Sequence, residues 1–251
     1  ALRWVTLTLA MALVEDLRQT FRDKPASVVL IVGTGVAVGA LRGAPCSHLA
    51  TWEGLLRSGL QRIQELQKMN ADELAGYQSI LANGNLKAWL MIAGRIEDEL
   101  GAPDHGEFSR WLRETVGTFK QHVTDRSVLA ALAAHQRRGA LLATTNYDLL
   151  LEDATGLDTV TWRDRGGVER ALRGDEPQVL HLHGAWRWPE SIVLGVKSYA
   201  GVARDAHAQS VLTTLRTGRT FVFVGCGAGL RDPNLGDFLR WTADVFKGSE
   251  Y

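Results

Sequence analysis

The sequence lacks any imbalance of charge: lysine plus arginine equals aspartate plus glutamate, at 28 each. No global field argues for nucleic acid or an anionic membrane, so a ligand must be recognised locally. Cysteine is nearly missing, and Cys46 and Cys226 lie far apart in no Cys-x-x-Cys context. That excludes a four-cysteine zinc ribbon and fits a reducing cytoplasm. Long apolar runs are also missing. Residues 4–14 are apolar but too short to span a membrane, and they run into Glu15-Asp16 without the small-residue cleavage site of a signal peptide. Met11 is a natural helix start, which sets residues 1–10 apart as an upstream extension.

At 251 residues the chain suffices for one large α/β domain and is short for two. A single domain spanning 1–251 is expected. Its organising stretch is Val28-Val-Leu-Ile-Val-Gly-Thr-Gly-Val-Ala-Val-Gly39. Five apolar residues dominated by valine and isoleucine read as a strand buried on both faces, as in the middle of a parallel sheet. The strand ends in Gly33-Thr34-Gly35, either a plain tight turn or a cradle where backbone approaches a phosphate. Gly33, Gly35 and Gly39 give G-x-G-x-x-x-G, which departs from the G-x-G-x-x-G of dinucleotide-binding dehydrogenases.

Leu13, Leu17 and Phe21 predict a helix over residues 11–22 that covers the sheet and stops before Pro25. Residues 39–50 form either a roof over the pocket or an ordinary connection. From Thr51, which has the look of an N-cap, to about residue 138 the spacing is helical, with breaks at 70–72, 83–85, 101–104 and 124–125. This is a helical insertion after the first strand, over residues 51–138, with Trp89 and Trp111 as expected core anchors.

The sheet resumes at residues 139–144, followed at once by Thr145-Asn146-Tyr147-Asp148. Polar residues just beyond a buried strand sit at its carboxyl end, where open parallel sheets hold ligands. Asn146 and Asp148 are thus placed for chemistry, unless Asp148 serves as an Asx-type cap on the next helix. Residues 178–184 read as a strand ending in His-Gly, with His181 and His183 on one face by the two-residue period. A strand-end imidazole suits a general base; a structural histidine and half of a metal pair are the alternatives, the last lacking further ligands. Residues 220–225 form the last clear strand, followed by a second glycine-rich cradle, and Asp232 caps a helix opened by Pro233. The fold class expected is α/β, a Rossmann-like doubly wound, mostly parallel sheet whose polar strand ends converge on one edge.

Val32-Gly33-Thr34-Gly35-Val36, Thr144-Thr145-Asn146-Tyr147-Asp148, His181-Leu182-His183-Gly184 and Val224-Gly225-Cys226-Gly227 with Asp232-Pro233-Asn234 resemble, in that order, the sirtuin-like NAD-binding domains of bacteria. The branch most resembled is the zinc-free one of antiphage defence systems, of Thoeris type or linked to short Argonaute proteins. Coverage runs from about Met11 to the end. The resemblance implies NAD as substrate, held by Gly33, Thr34, Gly35, Val36, Asp148, Gly225, Cys226, Gly227 and Asp232, with Asn146 and His183 catalytic and no metal. The four zinc-binding cysteines and the Gly-Ile-Pro-Asp-Phe-Arg loop of the deacetylases are absent, with only Gly43-Ala44-Pro45 in place of the latter.

The function expected is that of an NAD glycohydrolase releasing nicotinamide and ADP-ribose, in the cytoplasm. Asn146 would position the ribose or water, and His183 would receive a proton. Alternatives are an NAD-dependent protein deacylase and a non-catalytic NAD or ADP-ribose sensor. His181, one pleat deeper, is expected to matter more for stability or affinity than for chemistry. The resemblance further implies a restrained effector that acts in a homo-oligomer or with a sensor partner or C-terminal sensor domain, without direct nucleic-acid or membrane binding. A further segment is expected to cover the sheet edge after Tyr251.

Overall fold

The computed structural model describes residues 2–83, 85–103, 106–216 and 219–227. Helix α1 runs over Leu2–Asp23 and stops before Pro25, after which strand β1, Val28–Val32, begins. The expectation that α1 covers the sheet does not hold. Leu13 is 49% exposed, and the helix is tied down at its other end, where the ring of Phe21 lies tilted against His135 with centroids 4.5 Å apart.

Helix α2, Thr34–Ala40, follows β1 directly. The helical insertion then comprises α3 (Trp52–Glu65), α4 (Ala71–Asn83), α5 (Leu86–Leu100), α6 (Gly106–Glu114) and α7 (Ser127–Arg137), with a 3-10 segment at Val116–His122. Their starts follow capping chemistry. Thr51 Oγ1 accepts from Gly54 N at 3.0 Å and Asn85 Oδ1 from Ala88 N at 3.2 Å, each satisfying one orphan donor of a first turn. The 3-10 segment Ser47–Ala50 packs against both α2 and α3.

The second half alternates: β2 (Leu141–Thr144), α8 (Leu150–Thr155), β3 (Asp158–Thr161), α9 (Arg165–Arg173), β4 (Gln178–His181), α10 (Val196–Arg204), α11 (Ala206–Arg216) and β5 (Thr220–Val224). The five strands lie in the order β3-β4-β2-β1-β5 and every adjacent pair is parallel. The chain steps outward from β1 on one side, returns through β4, then crosses to β5 on the other side of β1. Two strands depart from the sequence reading. β3 was not anticipated, because an edge segment reading Asp-Thr-Val-Thr has neither an apolar run nor clean alternation. β4 ends at His181 instead of continuing to Gly184, so His181 and His183 do not share a strand face.

Alternate residues of the central strands supply two cores. Val28, Leu30, Val32, Leu142 and Val179 join the insertion, with Leu56, Leu60, Ile96, Phe108, Trp111 and Leu112 among the buried residues. Val29, Ile31, Ala143 and Leu180 face Val168 and Ala171 of α9 and Val211 and Leu215 of α11. The sheet is therefore covered on both faces, as an all-parallel sheet requires. Trp111 is buried in the first core with Nε1 donating to Ser58 Oγ at 3.0 Å, as an anchor, and Trp89 packs at its margin.

Candidate active site at the carboxyl edge of the sheet

Parallel pairing carries the ends of β1, β2, β4 and β5 to one edge. The glycines after β1 and β5 meet there as a backbone clasp. Gly33 N donates to Val224 O at 2.9 Å and Gly35 N to Gly225 O at 2.8 Å. A Cβ on Gly33 would lie 2.6 Å from Cys226 Cα, and one on Gly35 2.7 Å from Gly225 O, so neither position has room for a side chain. Gly225 itself has φ +68°. Close approach of the two turns thus explains these three glycines. Val36 N is also engaged, with Gly33 O at 3.1 Å, while Thr34 and Gly35 remain exposed. Cys226 is buried, its thiol donating to Ile31 O at 3.3 Å, and burial pushes that thiol up.

The turn after β2 is braced on β1. Thr144 Oγ1 donates to Val32 O at 2.9 Å and accepts from Asn146 N at 3.0 Å, and Thr145 N donates to Val32 O at 3.1 Å. These bonds send the Asn146 side chain inward, where it is 7% exposed. Its Nδ2 donates to Gly33 O at 3.3 Å, and its Oδ1 is buried with no partner. A buried amide oxygen without a donor is costly in a finished core, so it marks a place built to receive one.

Asp148 is buried too. Its Oδ1 accepts from Leu150 N at 3.1 Å, the Asx-type turn that opens α8. Burial above all, with the nearby Glu152 charge, raises its carboxyl to about 6 against the opposing Leu150 N–H and His181. Asp148 thus opens a helix and sits beside His181 as well.

At β4 the chain leaves the sheet through Leu182, whose N–H donates to Thr144 O at 2.8 Å, and turns at Gly184 with φ +81°. The Ser191 carbonyl occupies the space where a Cβ of Gly184 would project. His183 is 6% exposed and lies edge-on to Tyr199 of α10, with centroids 5.5 Å apart. Its carbonyl accepts from Val193 N at 2.9 Å, and Tyr147 Oη donates to Val193 O at 2.7 Å.

His181 is fully buried below this turn. Its Nδ1 contacts the carbonyls of Asn146, at 3.0 Å, and Gly184, at 3.2 Å, while Nε2 lies 2.8 Å from Glu152 Oε1. Burial alone would push the imidazole down, but the hydrogen bond and charge of Glu152 outweigh it and raise it. Glu152 was not singled out from the sequence; its one signal is a carboxylate interrupting the apolar run Leu149-Leu150-Leu151. Of the residues that were, Asn146, the Gly33 and Gly35 turn and the Gly225 to Gly227 turn come together, and Asp148 joins His181. Asp232 lies outside the described residues. Among the described residues no group of three or more His, Cys, Asp or Glu side chains is placed to hold a metal ion, and no helix is long and apolar enough to cross a membrane.

An open, doubly wound α/β sheet with polar turns gathered at its carboxyl edge defines a class of domain that binds ligands at that edge. Within it, residues 140–250 match the family model of the SIR2-like domain. The match takes in Asn146, Asp148, His181, His183 and the turn after β5, and it supports a sirtuin-like, NAD-related domain. The Gly33 turn and the helical insertion lie outside the matched stretch.

Proposed function

We propose that the chain is an NAD glycohydrolase, cleaving the bond between nicotinamide and its ribose to give nicotinamide and ADP-ribose. The observation that carries this reading is the Asn146 carboxamide. One of its two amide N–H donors goes to Gly33 O, and its Oδ1 is buried and unpartnered at the meeting point of three strand ends. A ribose hydroxyl or the attacking water supplies the missing donor, and in that position the group is held for attack at C1. Thr34, exposed beside it, offers its backbone to the substrate's pyrophosphate, since Gly33, Gly35 and Val36 donate their amides within the protein.

The residues present fit NAD on these grounds. As positive charge develops at C1 and nicotinamide leaves, His183 accepts a proton from water or a ribose hydroxyl, its ring steadied by Tyr199. Water becomes the new substituent at C1 and its proton goes to the imidazole. The deacetylase alternative loses weight because the cysteine module that shapes an acyl-peptide cleft is missing from the sequence. Resemblance to the defence branch further supports an antiphage effector acting in an assembly with a trigger, since an unrestrained NAD hydrolase depletes its own cell.

The test is product analysis. Purified protein incubated with NAD is expected to release nicotinamide and free ADP-ribose in equal amounts. Asn146→Ala and His183→Ala are each expected to lower turnover by about 100-fold or more while the protein stays folded. O-acyl-ADP-ribose from an acyl-lysine peptide would point to deacylation, and unchanged NAD would overturn the enzymatic reading.

A further inference from the structure

We propose that His181, supported by Glu152, is the positioning residue that holds the Asn146 turn and the His183-Gly184 turn in their working relation. The proposal rests on the NAD-cleavage reading for its kinetic consequence and on geometry alone for its structural one. The ring is fully buried, and Nδ1 faces two carbonyl oxygens, of Asn146 at 3.0 Å and of Gly184 at 3.2 Å. Carbonyls only accept, so Nδ1 carries a proton and donates to both. One hydrogen atom therefore bridges the residue that presents the unpartnered amide and the turn that presents His183.

The other nitrogen fixes the ring. A second proton lies between Nε2 and Glu152 Oε1, 2.8 Å apart, and Thr159 Oγ1 donates to the same Oε1 at 2.6 Å. A line of bonds thus runs from β3 through the α8 carboxylate and the β4 imidazole to the backbone of both turns. Elements far apart in sequence are tied at one point. Besides this bridge the two turns share one main-chain bond, Trp186 N to Tyr147 O at 3.0 Å, which lies beyond Gly184 and its positive φ and leaves the placing of His183 to the imidazole. Because displacement of a reacting group by about 1 Å costs roughly 100-fold in rate, this tie bears on turnover and not only on stability, which revises the expectation for His181 drawn from its place in the strand.

Two substitutions separate the nitrogens. The carboxamide of His181→Asn reaches as far as Nδ1 and keeps a donor for the two carbonyls, but leaves Glu152 without its partner. That of His181→Gln reaches as far as Nε2, keeps Glu152 satisfied and loses the bridging donor. For NAD cleavage, His181→Gln is expected to lower kcat by about 100-fold with KM within about threefold. His181→Asn is expected to stay within about tenfold of the unmodified kcat despite a lower Tm. Hydrogen–deuterium exchange of the peptides covering residues 145–148 and 183–186 is expected to rise in His181→Gln and not in His181→Asn. If His181→Gln does not fold, Glu152→Ala, which removes the support from outside the turns, is expected to raise exchange in the same two peptides. Loss of kcat that follows Tm across the variants, or a His181→Gln protein with unmodified kcat and exchange, overturns the proposal. An unmodified protein that leaves NAD intact overturns the NAD reading instead, and exchange still decides what His181 holds.

Discussion

Gly35 and Gly39 lie four residues apart, yet their surroundings oppose each other. A methyl group on Gly35 would run into the backbone of Gly225, 2.7 Å from its O and 2.9 Å from its Cα, whereas one on Gly39 meets nothing within 4 Å. Gly35→Ala therefore opens the clasp between the first and last strand ends, and is expected to lower Tm and abolish NAD binding together. Gly39→Ala is expected to raise stability by about 0.5–1 kcal/mol through the helix propensity of alanine, with binding unchanged. Thermal melts and calorimetric titration with NAD check both. At Gly184 a side chain would face both a positive φ and the Ser191 carbonyl. Gly184→Ala is accordingly expected to cost more than about 2 kcal/mol, measured by denaturant unfolding.

Among the elements, the helical insertion is held to the sheet by packing and to the site by a polar latch. Leu56, Leu60 and Ile96 are buried in the core shared with β1. On its other side, Glu97 of α5 is buried against Gly195, its Oε2 filling the space where a Cβ of that glycine would project, beside the turn in which Ser198 Oγ accepts from Leu194 N and Gly195 N, just beyond the segment that supports His183. The insertion is part of what shapes the site edge. Its α3 start is a separate matter, since Thr51 caps the helix at some remove from the strand ends. Thr51→Ala is expected to cost about 1 kcal/mol in denaturant unfolding while leaving NAD turnover intact. A parallel fall in turnover would show that α3 is coupled to the site more tightly than its capping bond.

Across the whole molecule, three buried groups make stability fall as pH rises through the acidic and neutral range. An acid whose folded pKa lies above its unfolded value binds its proton more readily when folded. Its contribution is therefore complete below the unfolded pKa and is lost as pH rises through the folded one. Asp148, moved from 3.8 to about 6, behaves in this way over roughly pH 4 to 6, and so does Glu97 from 4.5 upward, chiefly through burial. His181, whose pKa is raised from 6.5, contributes stability that is present below 6.5 and lost above. Asp148→Asn removes the first of these. The stability of this variant relative to the unmodified protein is expected to improve by about 3 kcal/mol between pH 3.5 and pH 7, checked by denaturant unfolding across that range. A difference that does not change with pH would show that Asp148 titrates normally in the fold.

Local pattern alone determined the central strand, the long helical stretch and its caps, and the four polar strand ends. A run of β-branched residues has few places to go other than a covered sheet, and Thr51 or Asn85 bonds within its own turn. It also marked Asn146, because a polar residue just beyond a buried strand stands at a sheet edge whatever the topology, whereas His183 was read as the end of a strand that stops at His181. Only the tertiary structure decided the rest. β3 is an edge strand stabilised by its pairing with β4, which four polar-leaning residues do not advertise. The glycines after β1 answer to Gly225 and Cys226, some 190 residues away, so a motif read as a cradle is first a clasp. Glu152 and His181, 29 residues apart, became partners because parallel pairing of β2 with β4 set the helix that follows one strand over the end of the other. Spacing within a strand or helix is written in the local sequence. Which buried nitrogen meets which carbonyl depends on chain crossings whose free energy is shared among all the strands at once.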